Sequence, residues 1–185
     1  MRFHGSSVAL GAALSAVLGF GCDNDQDASA SAEQPAAAAS SAPKKVGYDL
    51  RRLRPVDGEP LADMFERLRE QAKGQDKQIA VLFSANWCER CRRLELELGN
   101  LHPAEDIEHV RILEFVEEDW EAVTRMNEFD ALRQRWDSTK GTYPLFVVLD
   151  PEGKKVEEMK DAIERLEGQG KEPTLNAWFR GLRRT

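Results

Sequence analysis

Two cysteines, Cys88 and Cys91, stand two residues apart inside the segment Trp87-Cys88-Glu89-Arg90-Cys91. On a helix that spacing is about one turn. Two chemistries suit it. One is disulfide exchange, in which a thiolate attacks a disulfide sulfur and a second thiol releases the product. The other is half of a structural zinc site, which needs two more ligands. His102 and His109 are the candidates for those ligands, and their spacing is not the familiar short one. The third cysteine, Cys22, lies far away at the end of an apolar run. With no fourth cysteine there is no disulfide framework.

The elements that must position the pair are legible around it. Ile79-Ala80-Val81-Leu82-Phe83 is a short continuous apolar run, as in a buried strand. Ser84-Ala85-Asn86 reads as a turn. From Cys88 a helix runs to about Leu98, with Cys91, Leu94 and Leu98 on one face and Gly99 as its stop. Upstream, Leu61, Met64, Phe65, Leu68 and Ala72 recur at helical spacing between Pro60 and Gly74. Downstream come a strand from Val110 to Val116 and a helix carrying Ala131, Leu132 and Trp136. A strand from Leu145 to Leu149 follows, then a turn at Asp150-Pro151-Glu152-Gly153 and a paired strand at Lys155-Val156-Glu157. Leu175, Trp178, Phe179 and Leu182 mark a last helix. The alternation predicts an α/β domain with helices on both faces of a sheet. Trp120, Trp136 and Trp178 read as packing residues, His102 and His109 as loop residues, and Glu117-Glu118-Asp119 as a solvated loop face.

The rest of the 185-residue chain divides by composition. Residues 1–21 carry Arg2 and then an apolar, small-residue core, the build of a secretory signal peptide. Leu18-Gly19-Phe20-Gly21-Cys22 resembles a bacterial lipoprotein box, with Gly19 where leucine is preferred and Phe20 bulkier than usual. That resemblance implies a lipid on Cys22, which would hold the protein at a membrane without spanning it. The plainer alternative is an ordinary signal with Cys22 incidental. Residues 22–45 are acidic at first, then almost wholly Ala and Ser, and cannot build a core. They read as a flexible linker. Residues 46–185 are the folded domain. The net charge of -7 argues against a nucleic-acid partner.

A strand running into Trp-Cys-x-x-Cys and then a helix, with Thr142-Tyr143-Pro144 leading a later apolar strand, resembles the thioredoxin-like superfamily. Ser84 to Arg92 is similar to the periplasmic and lipoprotein-linked branch, such as the C-terminal domain of DsbD-type thiol reductases. The resemblance implies a thioredoxin-like fold with a central mixed β-sheet and a thiol–disulfide oxidoreductase without metal or cofactor. Cys88, facing the positive end of the helix dipole, is then the nucleophile, and Cys91 the resolving thiol. Arg90, Arg92 and Arg93 favour the thiolate, and Glu89 opposes it. Trp87, Tyr143 and a cis Pro144 form the substrate edge, with Trp87 packed beside the motif and shielding the sulfurs. The implied partners are protein thiols and disulfides of the cell envelope and a further redox partner. Direction divides the readings: a reductase or exchange role, an oxidase, or a non-catalytic interaction module at the membrane. One position departs from the family. A buried acid six residues before the first cysteine assists proton transfer in many members, and Leu82 stands there. Glu114 and the run Glu117 to Asp119 are the candidate replacements.

Overall fold

Strands buried on both faces cannot alternate apolar with polar residues, and the three apolar runs of this sequence become such strands. The computed structural model describes residues 42–137 and 142–182. The expectations for the signal peptide, Cys22 and nearly all of the linker lie outside the described residues.

In chain order the elements begin with β1 (Lys45–Val46), β2 (Asp49–Arg52), α1 (Leu61–Lys73), β3 (Gln78–Ser84) and α2 (Glu89–Leu98). Next come β4 (His102–Pro103), α3 (Ala104–Ile107), β5 (Val110–Val116), α4 (Glu117–Glu121) and α5 (Met126–Arg133). The chain closes with β6 (Leu145–Leu149), β7 (Lys155–Glu158), α6 (Met159–Gly168) and α7 (Leu175–Leu182). The main sheet has the order β2-β5-β3-β6-β7. Strands β2, β5 and β3 are parallel, while β6 and β7 run antiparallel. β1 and β4 form a separate antiparallel pair. This mixed sheet flanked by helices, with a helix springing from the end of its central strand, is the thioredoxin-like fold.

Side chains on a strand point alternately to opposite faces, so each strand feeds two cores. Val81 and Phe83 join Leu113, Phe115, Leu145 and Val147 under α1, α4 and α5. Ala80 and Leu82 join Ile112, Phe146 and Val148 under α2, α3, α6 and α7. Phe83 stacks on Phe115 at 4.9 Å and meets Phe129 edge-on at 5.2 Å. On the other face Phe146 meets Trp178 edge-on at 5.2 Å. Full burial of one such side chain contributes about 1.5–3 kcal/mol.

Several elements depart from the sequence reading. β2 was not expected because Asp49-Leu50-Arg51-Arg52 is polar; it is an edge strand, mostly exposed, held by pairing along β5 and by ion pairs. Asp49 binds Lys77 at 2.6 Å and Arg111 at 3.0 Å. α6 was missed although Met159, Ala162, Ile163 and Leu166 carry a helical period. The helix expected around Ala131 to Trp136 lies earlier, and Trp136 sits beyond it, donating its indole N–H to the Gly153 carbonyl at 3.0 Å. His102 belongs to β4, with its ring 5.0 Å from that of Tyr48. The Nε2 of His109 lies 3.1 Å from the Phe179 carbonyl.

Candidate active site

β3 delivers the chain to the site. It ends at Ser84, and the turn Ala85-Asn86-Trp87 closes with the Cys88 N–H donating to the Ala85 carbonyl at 3.0 Å. Cys88 then caps α2: its backbone is extended and its sulfur accepts the Cys91 N–H at 3.1 Å. A capping sulfur satisfies one of the otherwise unpaired N–H groups of a first helical turn, and it sits where the helix dipole favours negative charge. Cys88 and Cys91 form a disulfide with Cα atoms 5.2 Å apart. Cys88 is 5% exposed and Cys91 1%, so an incoming sulfur meets Cys88 first.

Three of the charges on α2, Glu89, Arg92 and Arg93, pair with one another. Glu89 bonds to Arg92 and lies 3.6 Å from Arg93, and the Arg92 bond holds the Glu89 carboxyl below its ordinary range. Their effects on the thiolate are thereby partly cancelled.

Tyr143 packs against Ala85, Cys88 and Cys91. Its peptide bond to Pro144 is cis. Trp87 meets the Tyr143 ring edge-on at 5.4 Å but is itself 66% exposed. The shielding expected of Trp87 therefore falls to Tyr143; the indole stands out as an apolar edge. Burial pushes the Tyr143 hydroxyl up to about 12, although neighbouring Arg133 pulls the other way.

Glu117-Glu118-Asp119 is not a loop face. It is the first turn of α4, which follows β5 without a break, and acids suit that position beside the helix dipole. Each carboxylate has a task. Glu117 accepts the Trp87 indole N–H at 3.1 Å. Glu118 accepts the Asn86 N–H with both oxygens, at 2.9 and 3.1 Å. Asp119 takes both bonds of the Arg52 fork, at 2.8 and 2.9 Å. The helix thus braces the motif loop. The signal for it in the sequence was a run of acids directly after a strand.

Leu82 is fully within the apolar core, but an acid lies beside it. Glu114 is the register partner of Leu82 on β5 and is 5% exposed. It follows Ile112 by two residues, so it lies on the face covered by α2. Ser84 donates to it at 3.4 Å. Burial raises its pKa above the ordinary value, Arg52 opposes that, and Glu95 adds to it. His102 and His109 lie toward the end of the sheet opposite the cysteines, where β5 begins. Among the described residues no group of three or more His, Cys, Asp or Glu is gathered for a metal, and no helix is long and apolar enough to cross a membrane.

The arrangement can cycle between disulfide and dithiol. No protein-family model matches the sequence, and no curated protein matches it. Among solved structures the chain is similar to a disulphide isomerase from Xylella fastidiosa Temecula1, with 19% identity, 70% of this chain and 96% of that chain covered, and a TM-score of 0.48. It is similar to thioredoxin NaTrxh from Nicotiana alata at 18% identity, over 71% of this chain and all of that one, with a TM-score of 0.41. A third is a DsbH oxidoreductase, at 20% identity over 75% and 96% of the two chains, with a TM-score of 0.37.

Proposed function

We propose that this protein is a thiol–disulfide oxidoreductase acting on protein cysteines, working as a reductase or in disulfide exchange in the cell envelope. The observation that carries the reading is the capping sulfur: Cys88 lies bonded to Cys91 at the start of α2 and accepts a backbone N–H, beside the exposed Trp87 and Tyr143. In the reducing direction the Cys88 thiolate attacks a client disulfide, forming a mixed disulfide and releasing one client thiolate. The Cys91 thiolate then attacks the Cys88 sulfur, closing the Cys88–Cys91 bond and releasing the second client thiolate. Two electrons pass to the client, and a separate dithiol partner must restore them. Trp87, Tyr143 and Pro144 receive the client segment. Glu114, a buried carboxyl on the face that α2 covers, takes the proton-exchanging part that Leu82 cannot. Lipid on Cys22 tethers the domain through the linker to a membrane surface.

The direction rests on the resemblance of the motif to reducing relatives. A Cys88–Cys91 potential near roughly -270 mV supports it, whereas one near roughly -120 mV overturns it in favour of oxidation. Cys91→Ala is expected to accumulate mixed disulfides through Cys88 with envelope proteins. Absence of adducts, together with no insulin reduction by the unmodified protein, sinks the catalytic reading and leaves an interaction module. Mass spectrometry of the mature N-terminus tests the anchor: an unmodified Cys22, or a start elsewhere, rejects it.

A further inference from the structure

The last residue of α5, Arg133, is an unusual neighbour for a disulfide. It is 6% exposed, and its guanidinium carbon lies 4.3 Å from the centroid of the Tyr143 ring. That same tyrosine packs against the cluster that holds Cys88 and Cys91. Arg133 Nη2 donates to the Thr142 carbonyl and to Asp137 Oδ2, the latter at 2.9 Å. One buried cation therefore fixes the backbone before the Tyr143–Pro144 bond and holds the ring that covers the sulfurs. A tyrosine needs no arginine for packing alone. A buried guanidinium costs desolvation, which its carboxylate and the ring face offset only in part.

We propose that Arg133 is a positioning residue that sets the redox poise of the Cys88–Cys91 pair, acting through Tyr143. The inference rests on the oxidoreductase reading. The disulfide is neutral. Its reduction takes up two electrons and two protons, and ionisation of Cys88 then leaves a negative charge at the start of α2. A fixed cation one aromatic ring away stabilises that charged, reduced form and does nothing comparable for the disulfide, so it makes the pair more oxidising. Asp137 moderates the effect. Other charges on the elements beside the pair are Glu89, Arg90, Arg92 and Arg93 on α2, Glu117 and Glu118 on α4, Asp130 on α5 and Glu114 on β5. Most are exposed to solvent and screened, or paired with one another. Arg133 is the buried cation in direct contact with the ring.

The test is the equilibrium of the full-length protein with glutathione, followed by thiol trapping, alongside the absorbance titration of the Cys88 thiolate. Arg133→Gln is expected to shift the equilibrium about tenfold toward the disulfide, equivalent to roughly 30 mV, and to raise the Cys88 pKa. Arg133→Lys, which keeps the charge, is expected to stay near the parent value. Asp137→Asn is expected to shift the equilibrium the opposite way, because it frees the cation; it also serves as the test should Arg133→Gln not fold. A parent-like potential in Arg133→Gln, an Arg133→Lys value matching Arg133→Gln, or an Asp137→Asn shift toward the disulfide each overturns the inference. If the parent protein does not exchange with glutathione at all, the oxidoreductase reading itself fails, which is a different result.

Discussion

Reducing the Cys88–Cys91 bond should cost the fold little, and the structure says how little. The bond closes a ring with a sequence separation of only 3. The chain-entropy relation for cross-links gives about 2 kcal/mol for so short a ring, against about 4.7 kcal/mol for a loop of about 100 residues. The reduced protein also keeps a compensation. The Cys88 sulfur accepts the Cys91 N–H in the disulfide and accepts it more strongly as a thiolate, a difference of about 1 kcal/mol. The oxidised form should therefore exceed the reduced form by roughly 1–2 kcal/mol, a minor part of the 5–15 kcal/mol typical of a domain. By linkage this cross-link contribution lowers the potential of the folded pair, relative to the same dithiol in an unfolded chain, by roughly 20–40 mV, and the thiolate stabilisation inferred for Arg133 acts against it. Parallel urea denaturations of the oxidised protein and of the protein in excess dithiol read the difference directly. A gap above about 4 kcal/mol, or loss of native circular dichroism on reduction, would refute the reasoning; the bond would then be a structural staple.

Three further perturbations follow from the packing and the charges. Phe83→Ala removes a fully buried ring wedged among Phe115, Phe129 and Trp136; rigid rings collapse poorly, so a loss of about 4 kcal/mol is expected, seen as a lower urea midpoint in both redox states, and a loss below about 2 kcal/mol would mean the hole refills. Glu114→Gln keeps a partner for Ser84 but carries no charge. The Glu114 pKa is raised by burial, so its stabilisation is fully present below the ordinary carboxyl value of 4.5 and is lost as pH rises through the raised value. The variant should gain on the parent as pH rises from below 4.5 through the raised value, and a pH-independent difference counts against the account. Asp49 behaves oppositely. Burial raises its pKa, but bonds from Lys77, Arg51 and Arg111 outweigh that and bring it from 3.8 to about 2. Its stabilisation is present above about 3.8 and lost as pH falls through about 2, so Asp49→Asn should be weaker than the parent at neutral pH and converge with it in acid.

The parts of the fold that depend on apolar pattern were legible in the sequence. β3, β5 and β6 are buried on both faces and are mostly apolar runs, with Arg111 and Glu114 on β5 as buried exceptions. α1, α2 and α7 show their periods equally plainly. β2 was not legible because its place is set by backbone pairing and by Asp49 salt links, neither of which leaves an apolar trace. The brace formed by α4 was misread for a related reason. An acidic triplet looks the same whether it faces water or reaches across to Asn86 and Trp87. Glu114 shows the limit most clearly. An acid that sits beside Leu82 in space lies 32 positions away in sequence, and only the β3–β5 register brings the two together. Arg133 was invisible for the same reason: its contact with Tyr143 needs the fold to exist first.

The exposure of Trp87 has an optical consequence. The chain has four tryptophans. Trp120, Trp136 and Trp178 are at most 6% exposed, while Trp87 stands 66% open beside the disulfide. Iodide or acrylamide in the solvent collides with Trp87 and is kept from the other three. The quenchable share of the emission thus comes from a single indole at the mouth of the site. On the proposed function, a client segment lying across Tyr143 and Pro144 would cover that indole and remove the quenchable share, so the protein would report docking without a dye or a label.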